Sequence, residues 1–179
     1  MCGHAYAAHG ETKKETMGET NLKKTLTAYV DGSYNDAIKR YSFGCVFIRE
    51  DGRICLALGN GNNPETVSMR NVTGEMLGAM YAVRTAMKNG YAGIELYYDY
   101  EGIEKWVTGA WKCKKEHTAK YAQAMRRWGG SIEIVFHKVA AHTNVTYNEL
   151  ADKTAKRGLE EGEGVPPIRM LDELEAWTG

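Results

Sequence analysis

Three strand-like segments follow one another between Thr25 and Gly61, and no other feature constrains the fold as much. "TLTAYVD" alternates, which places Leu26, Ala28 and Val30 on one face. "RYSFGCVFIRE" and "RICLALGNG" flank Asp51-Gly52, a pair suited to a tight hairpin because such turns need positive φ angles. Beyond Gly61 the period changes. A loop-like stretch leads to an expected helix over residues 73–88, rich in Ala, Met and Leu. Asn89-Gly90 closes it as a left-handed cap would. "GIELYYDY" reads as a strand. "GIEKWVTGAW" carries Ile103, Trp106, Val107, Ala110 and Trp111 at helical spacing. A further helix is expected over 116–128, then a turn and strand in "GGSIEIVFHKV", then a helix in "TYNELADKTAKRGLEEG". Gly162 to Pro167 is a break, and "IRMLDELEAW" is expected to form a short terminal helix. The order β-β-β-α-β-α-α-β-α implies an α/β (α+β) chain with a five-stranded mixed sheet and helices packed on it.

The length, 179 residues, suits one domain with a proper core and some extra tail. Residues 1–21 are small, polar and mixed in charge, and read as a flexible leader or linker. The folded domain is expected over 22–162, with 163–179 as a tail. The 23 basic and 23 acidic residues cancel, so no overall charge advertises a nucleic-acid partner. Binding needs only a local basic face, so the balance does not exclude one. Cys2, Cys45, Cys55 and Cys113 form no close C-x-x-C pair, and Cys113 with His117 lacks the second half of a zinc site. Reduced, structural cysteines fit a cytoplasmic protein. No apolar run is long enough to span a membrane, and the first twenty residues lack the apolar core of a signal peptide.

Four acidic residues stand at suspicious places. Asp31 ends the first strand, Asp99 ends "ELYYD", Glu75 lies in the first turn of the first long helix, and Asp152 sits inside the last helix. Each has an ordinary alternative. Asp31 and Asp99 suit turns, Glu75 complements a helix dipole, and Asp152 fits a solvated helix face. Jointly they are harder to dismiss. Functional groups in α/β sheets gather at the carboxyl ends of strands. Gly78, Ala79 and Ala82 beside Glu75, and Ala151, Ala155 and Gly158 beside Asp152, let both helices lie close to a sheet. Crowded carboxylates repel, and oxygen-rich sites select Mg²⁺ or Mn²⁺.

At these residues the chain resembles type 1 ribonuclease H. The matching stretches are "YVDGSY", "NVTGEMLGA", "YYDYEGIEKW" and "AAHTNVTYNELAD", in the family's order, covering roughly residues 26–159. The third stretch looks most like bacterial members that often carry a separate hybrid-binding module, which is not visible here. The resemblance implies a ribonuclease H-like fold with helices on both sheet faces. It implies an endonuclease that cuts the RNA strand of RNA–DNA hybrids, leaving 5′-phosphate and 3′-hydroxyl ends, and acts as a monomer. Two Mg²⁺ ions, for which Mn²⁺ substitutes, would clamp the scissile phosphate. By the same resemblance Asp31 would bridge both ions, Asp152 would hold the one that activates water, and Glu75 and Asp99 would hold the other. His142 matches the family's loop histidine, which assists proton transfer or product release; otherwise it is a surface histidine.

Gly32, Ser33, Asn71 and Asn148 match positions that contact nucleic acid, although Asn71 also suits a helix N-cap. Lys112, Lys114 and Lys115 belong to the one locally basic region, where Trp106 and Trp111 interleave. That region is a solvated helix side, or it grips the DNA strand through phosphates and stacking. The chain departs from the family pattern at Ala140, Ala141, Asn144 and Tyr100, and the segment between Asp99 and Ile132 is short for a full basic protrusion. None of these departures removes a metal ligand. Two alternatives keep the fold: a binding module without catalysis, and a strand-transfer enzyme with a smaller acidic set.

Overall fold

The structure, a computed structural model, describes residues 24–140 and 146–179. The leader and His142 therefore lie outside the described residues. Strands β1 (Thr25–Asn35), β2 (Arg40–Ile48) and β3 (Ile54–Gly61) come first. Helix α1 (Asn71–Lys88), strand β4 (Gly93–Tyr98), helices α2 (Gly102–Thr108) and α3 (Glu116–Gly129), strand β5 (Glu133–Lys138) and helix α4 (Thr146–Glu161) follow. A 3₁₀ turn at Leu171–Glu173 leads into a short strand, β6 (Glu175–Trp177). All six strands form one sheet in the order β5-β4-β1-β2-β3-β6. β1, β4 and β5 run parallel, and the remaining pairs are antiparallel.

The mixed sheet was expected; the sixth strand was not. "IRMLDELEAW" forms a 3₁₀ turn and a strand where a helix was expected. Without it β3 would present a row of unpaired backbone groups at the sheet edge. Instead Ile54, Cys55 and Leu56 pair with Trp177, Ala176 and Glu175. Leu171 is buried, its amide donates to Asn89 Oδ1 at 2.9 Å, and Arg157 holds Glu175 at 3.0 Å. Tertiary pairing thus overrides a helix-like local pattern. The helix expected through Trp111 also stops early, at Thr108, because Gly109 takes a left-handed φ of +86°.

The sheet lies between α1–α3 on one face and α4 on the other. Along β1 burial alternates: Leu26, Ala28, Val30 and Gly32 are buried towards α1, while Tyr29 and Asp31 are half-buried towards α4. The larger core joins Leu26, Phe43, Ile94 and Leu96 to Ala79, Ala82, Ile103 and Met125. A smaller one joins Val46 and Leu56 to Ala151.

Two close approaches set the height of the helices. A Cβ on Gly74 would stand 1.9 Å from Ser42 O, and one on Gly32 would stand 2.1 Å from Asn71 O. The backbone of α1 therefore touches β1 and β2 directly. On the other face, a Cβ on Gly44 would meet Ala155 N at 2.4 Å. Asp31 is the register partner of Gly44, so its side chain shares the α4 face.

Candidate active site

The site opens where β1 and β4 part. Their parallel pairing ends at Tyr29↔Tyr97, yet β1 runs on beside β2 as far as Asn35. The expectation that Asp31 ends a strand is therefore corrected: the strand continues, and its parallel neighbour stops. Asp31 and Asp99 each follow that last pair by two residues, which puts both on one side of the gap. α4 brings Asp152 and Asn148 over the same place. Asp31, Asp99, Asn148 and Asp152 line a single cavity of about 510 Å³, with Glu149, Lys153 and Lys156 at its α4 wall.

Glu75 arrives from the opposite layer. It lies one turn beyond the start of α1, not in its first turn, because the helix begins at Asn71. Its side chain is only 2% exposed. Oε1 accepts the amides of Asp99 at 2.7 Å and Tyr100 at 3.1 Å. The carboxylate thus ties the end of β4 to α1. A helix-dipole role is a poor description of a side chain so buried and so committed.

Electrostatics couples the group through mutual repulsion. Burial raises Glu75 to about 8; the two amides oppose the shift, and the charges of Asp31 and Asp99 add to it. Burial likewise raises Asp31 to about 7, against the Gly32 amide and with Asp152 and Asp99 reinforcing. Burial thus favours the protonated form of Glu75 and Asp31, and a cation beside them would favour release of those protons. All four donors are hard oxygens, which fit Mg²⁺ or Mn²⁺ and no soft metal. Among the described residues, no three such side chains are drawn into a closed coordination sphere. A cationic group is nonetheless at hand: Lys156 Nζ lies 2.9 Å from Asp152 Oδ2. Sequence reasoning missed Lys156, although its spacing four residues after Asp152 on a helix was the available signal.

The expected nucleic-acid contacts divide. Asn148 lines the cavity. Gly32 is buried; its missing side chain makes room for α1, and its amide donates to Asp31 Oδ1 at 2.8 Å. Ser33 is half-buried on the same strand. Asn71 is exposed as the first residue of α1, and the N-cap is Arg70, at φ +56°, so the N-cap alternative for Asn71 does not hold. Trp106 is 8% exposed and belongs mainly to the core. It also borders a groove of about 500 Å³ that starts one residue past Asp99, lined by Tyr100, Trp111, Lys112, Lys114 and Lys115. Tyr100 was noted only as a departure; here its ring meets Trp106 and Trp111 at 5.7 and 6.1 Å.

Comparison with known proteins agrees with this architecture. No curated protein matches the chain. RNase H1 from the halophilic archaeon Halobacterium salinarum NRC-1 is 22% identical, with a TM-score of 0.64 over 77% of this chain and 99% of its own. The N-terminal RNase H domain of rv2228c from Mycobacterium tuberculosis, solved as a maltose-binding-protein fusion, is 16% identical, with a TM-score of 0.62 over 76% and 97%. LC11-RNase H1, solved in complex with an RNA/DNA hybrid, is 16% identical, with a TM-score of 0.57 over 75% and 99%. At such identities these likenesses establish the fold. The RNase H family model matches residues 23–160, most of the chain. The chain belongs to the RNase H family.

Proposed function

We propose that the chain is an endonuclease that hydrolyses the RNA strand of RNA–DNA hybrids and leaves 5′-phosphate and 3′-hydroxyl ends. The observation that carries this reading is the convergence of Asp31, Asp99 and Asp152 on one cavity, with Glu75 bonded beneath Asp99. A fold-mate of this chain, LC11-RNase H1, is known in complex with an RNA/DNA hybrid, which supports the substrate class. Two divalent ions, Mg²⁺ or in its place Mn²⁺, would supply an activated water and a counter-charge for the leaving oxygen.

The residues divide the work. Asp31, coupled to the other three acids, would donate to both ions. Asp152 serves the side of the attacking water, and Glu75 and Asp99 the side of the leaving group. Glu75 also fixes the direction of Asp99 through its amide. His142 assists proton transfer. Asn148 and Ser33 contact the nucleic acid near the cavity. Lys112, Lys114 and Lys115 hold phosphates of the DNA strand along the Tyr100–Trp111 groove. The protein works as a monomer in the cytoplasm. Among the described residues no helix is long and apolar enough to cross a membrane.

The test is cleavage of a labelled RNA–DNA hybrid with Mg²⁺ or Mn²⁺, beside matched all-RNA and all-DNA duplexes. Cutting confined to the hybrid and lost in Asp99→Asn is the expected result. Hybrid binding without cutting in either metal would sink the reading and leave a binding module of the same fold.

A further inference from the structure

Beneath the carboxylates lies a row of rings to which the chemistry above gives no part. Tyr29 and Tyr97, the last register pair of β1 and β4, stack with centroids 4.3 Å apart and planes 8° from parallel. Tyr97 stacks in turn on His137, its register partner in β5, at 4.5 Å and 14°. On the other side Tyr147 of α4 leans on Tyr29 at 5.7 Å. The row therefore crosses β5, β4 and β1 and reaches α4. Each element that supplies an aspartate to the cavity supplies one ring: Tyr29 stands two residues before Asp31, Tyr97 two before Asp99, and Tyr147 next to Asn148.

Ordinary core packing does not account for it. Tyr97 and His137 belong to neither apolar core, and both are half-buried. His137 Nε2 lies 3.4 Å from Glu95 Oε2 without making a hydrogen bond, so this single long polar contact leaves the stacking as its closest ring contact. What the row does have is position. Past Tyr29↔Tyr97 no backbone pairing joins β1 to β4, so nothing in the ladder itself keeps the two chain ends from parting. Flat rings in van der Waals contact resist that splay, because separating the strands would unstack them.

We propose that the Tyr29–Tyr97–His137 stack, abutted by Tyr147, is a positioning device that fixes the separation of Asp31 and Asp99 and so sets the affinity of the site for divalent cations. The proposal rests on the nuclease reading of the carboxylates. Tyr29, Tyr97 and His137 are positioning residues; Tyr29 and Tyr97 act through the aspartates two residues after them, and His137 acts through Tyr97.

The experiment titrates Mn²⁺ alone, by calorimetry, into the full chain and into Tyr97→Ala, Tyr97→Phe and His137→Ala, with Asp99→Asn as the ligand-loss control. Melts in chelator establish that each variant is folded. Tyr97→Ala is expected to weaken Mn²⁺ binding about 10-fold, the scale of outer-shell substitutions. Tyr97→Phe keeps the ring and should bind like the unsubstituted protein. His137→Ala removes only the end of the stack and should lose a smaller factor in the same direction. A folded Tyr97→Ala that binds Mn²⁺ normally overturns the proposal, as does a Tyr97→Phe as weak as Tyr97→Ala. If Tyr97→Ala does not fold, unchanged affinity in His137→Ala is the overturning result. Failure of the unsubstituted chain to bind Mn²⁺ would overturn the nuclease reading and this proposal with it, whereas loss confined to the control would overturn the stack alone.

Discussion

Neutralising Glu75 should stabilise the metal-free protein in alkaline solution, and Mg²⁺ should erase the gain. Glu75 is 2% exposed, and burial raises it to about 8 from an ordinary 4.5. Between those two values the folded protein keeps a proton that the unfolded chain has already released. Stability is therefore complete below the unfolded value and is lost as pH rises through the folded one. Each pH unit in that window costs about 1.4 kcal/mol, so going from pH 5.5 to 8.5 removes about 3 kcal/mol. Asp31, raised to about 7, acts in the same direction. The two acids feel each other's charge, so their effects do not simply add. For a chain of this size, about 3 kcal/mol is a fall in Tm of roughly 6–12 °C.

Glu75→Gln keeps an oxygen for the amides of Asp99 and Tyr100 but carries no charge. The assay is a set of thermal and urea melts in chelator at pH 5.5 and 8.5, repeated with excess Mg²⁺. The unsubstituted protein should weaken between the two pH values, and Glu75→Gln should weaken much less. With Mg²⁺ present, the original glutamate should regain its advantage, because the cation favours the ionised form. An unsubstituted protein equally stable at both pH values in chelator, or a variant with the same pH slope, would refute the reasoning.

Gly74→Ala should cost about 3 kcal/mol or more, since its Cβ would stand 1.9 Å from Ser42 O; urea midpoints measure this, and hybrid cleavage should fall too as Glu75 is displaced. Leu171→Ala should cost about 2–4 kcal/mol by the same melts, because this tail residue is 3% exposed and packs into the core. Lys156→Met should change stability by less than about 0.5 kcal/mol, as the Asp152–Lys156 pair is exposed. It should nonetheless tighten Mn²⁺ binding severalfold, because an ammonium no longer competes for Asp152; weaker binding in calorimetry would contradict this. Replacing Lys112, Lys114 and Lys115 together by Ala should lower the log–log salt slope of hybrid binding by about 2–3, measured by anisotropy across a salt series.

The identity of the strands was legible because β1 alternates with period 2, β2 and β3 are short apolar runs, and a turn dipeptide joins them, features that depend on local chemistry. Their ends were not legible. Whether "YVDGSYN" stops at Asp31 depends on which neighbour stops pairing, and that neighbour lies more than sixty residues away in sequence. The tail failed for a related reason: "IRMLDELEAW" is spaced like a helix, and only the vacant edge of β3 turns it into a strand. Asp31, Asp99 and Asp152 were found because carboxylates after a strand or on a close-packed helix stand out. Lys156 and the stacked tyrosines were not found, since an ion pair at helical spacing and aromatic residues in strands are ordinary features until the fold sets them beside the carboxylates.

The hairpin formed by β1 and β2 also makes the site mechanically lopsided. Asp31 sits on a two-stranded ribbon gripped from both sides: α1 rests backbone to backbone on Gly32, and Ser42 Oγ donates to Ala155 O of α4. Asp99 sits just past the end of β4, held by the two amides bonded to Glu75 and by the stacked ring of Tyr97. One jaw of the cavity is thus held by backbone packing, and the other by one side chain and one ring. Removing that side chain falls on the Asp99 side alone, so in Glu75→Ala the amides of Asp99 and Tyr100 should exchange with solvent far sooner than those flanking Asp31.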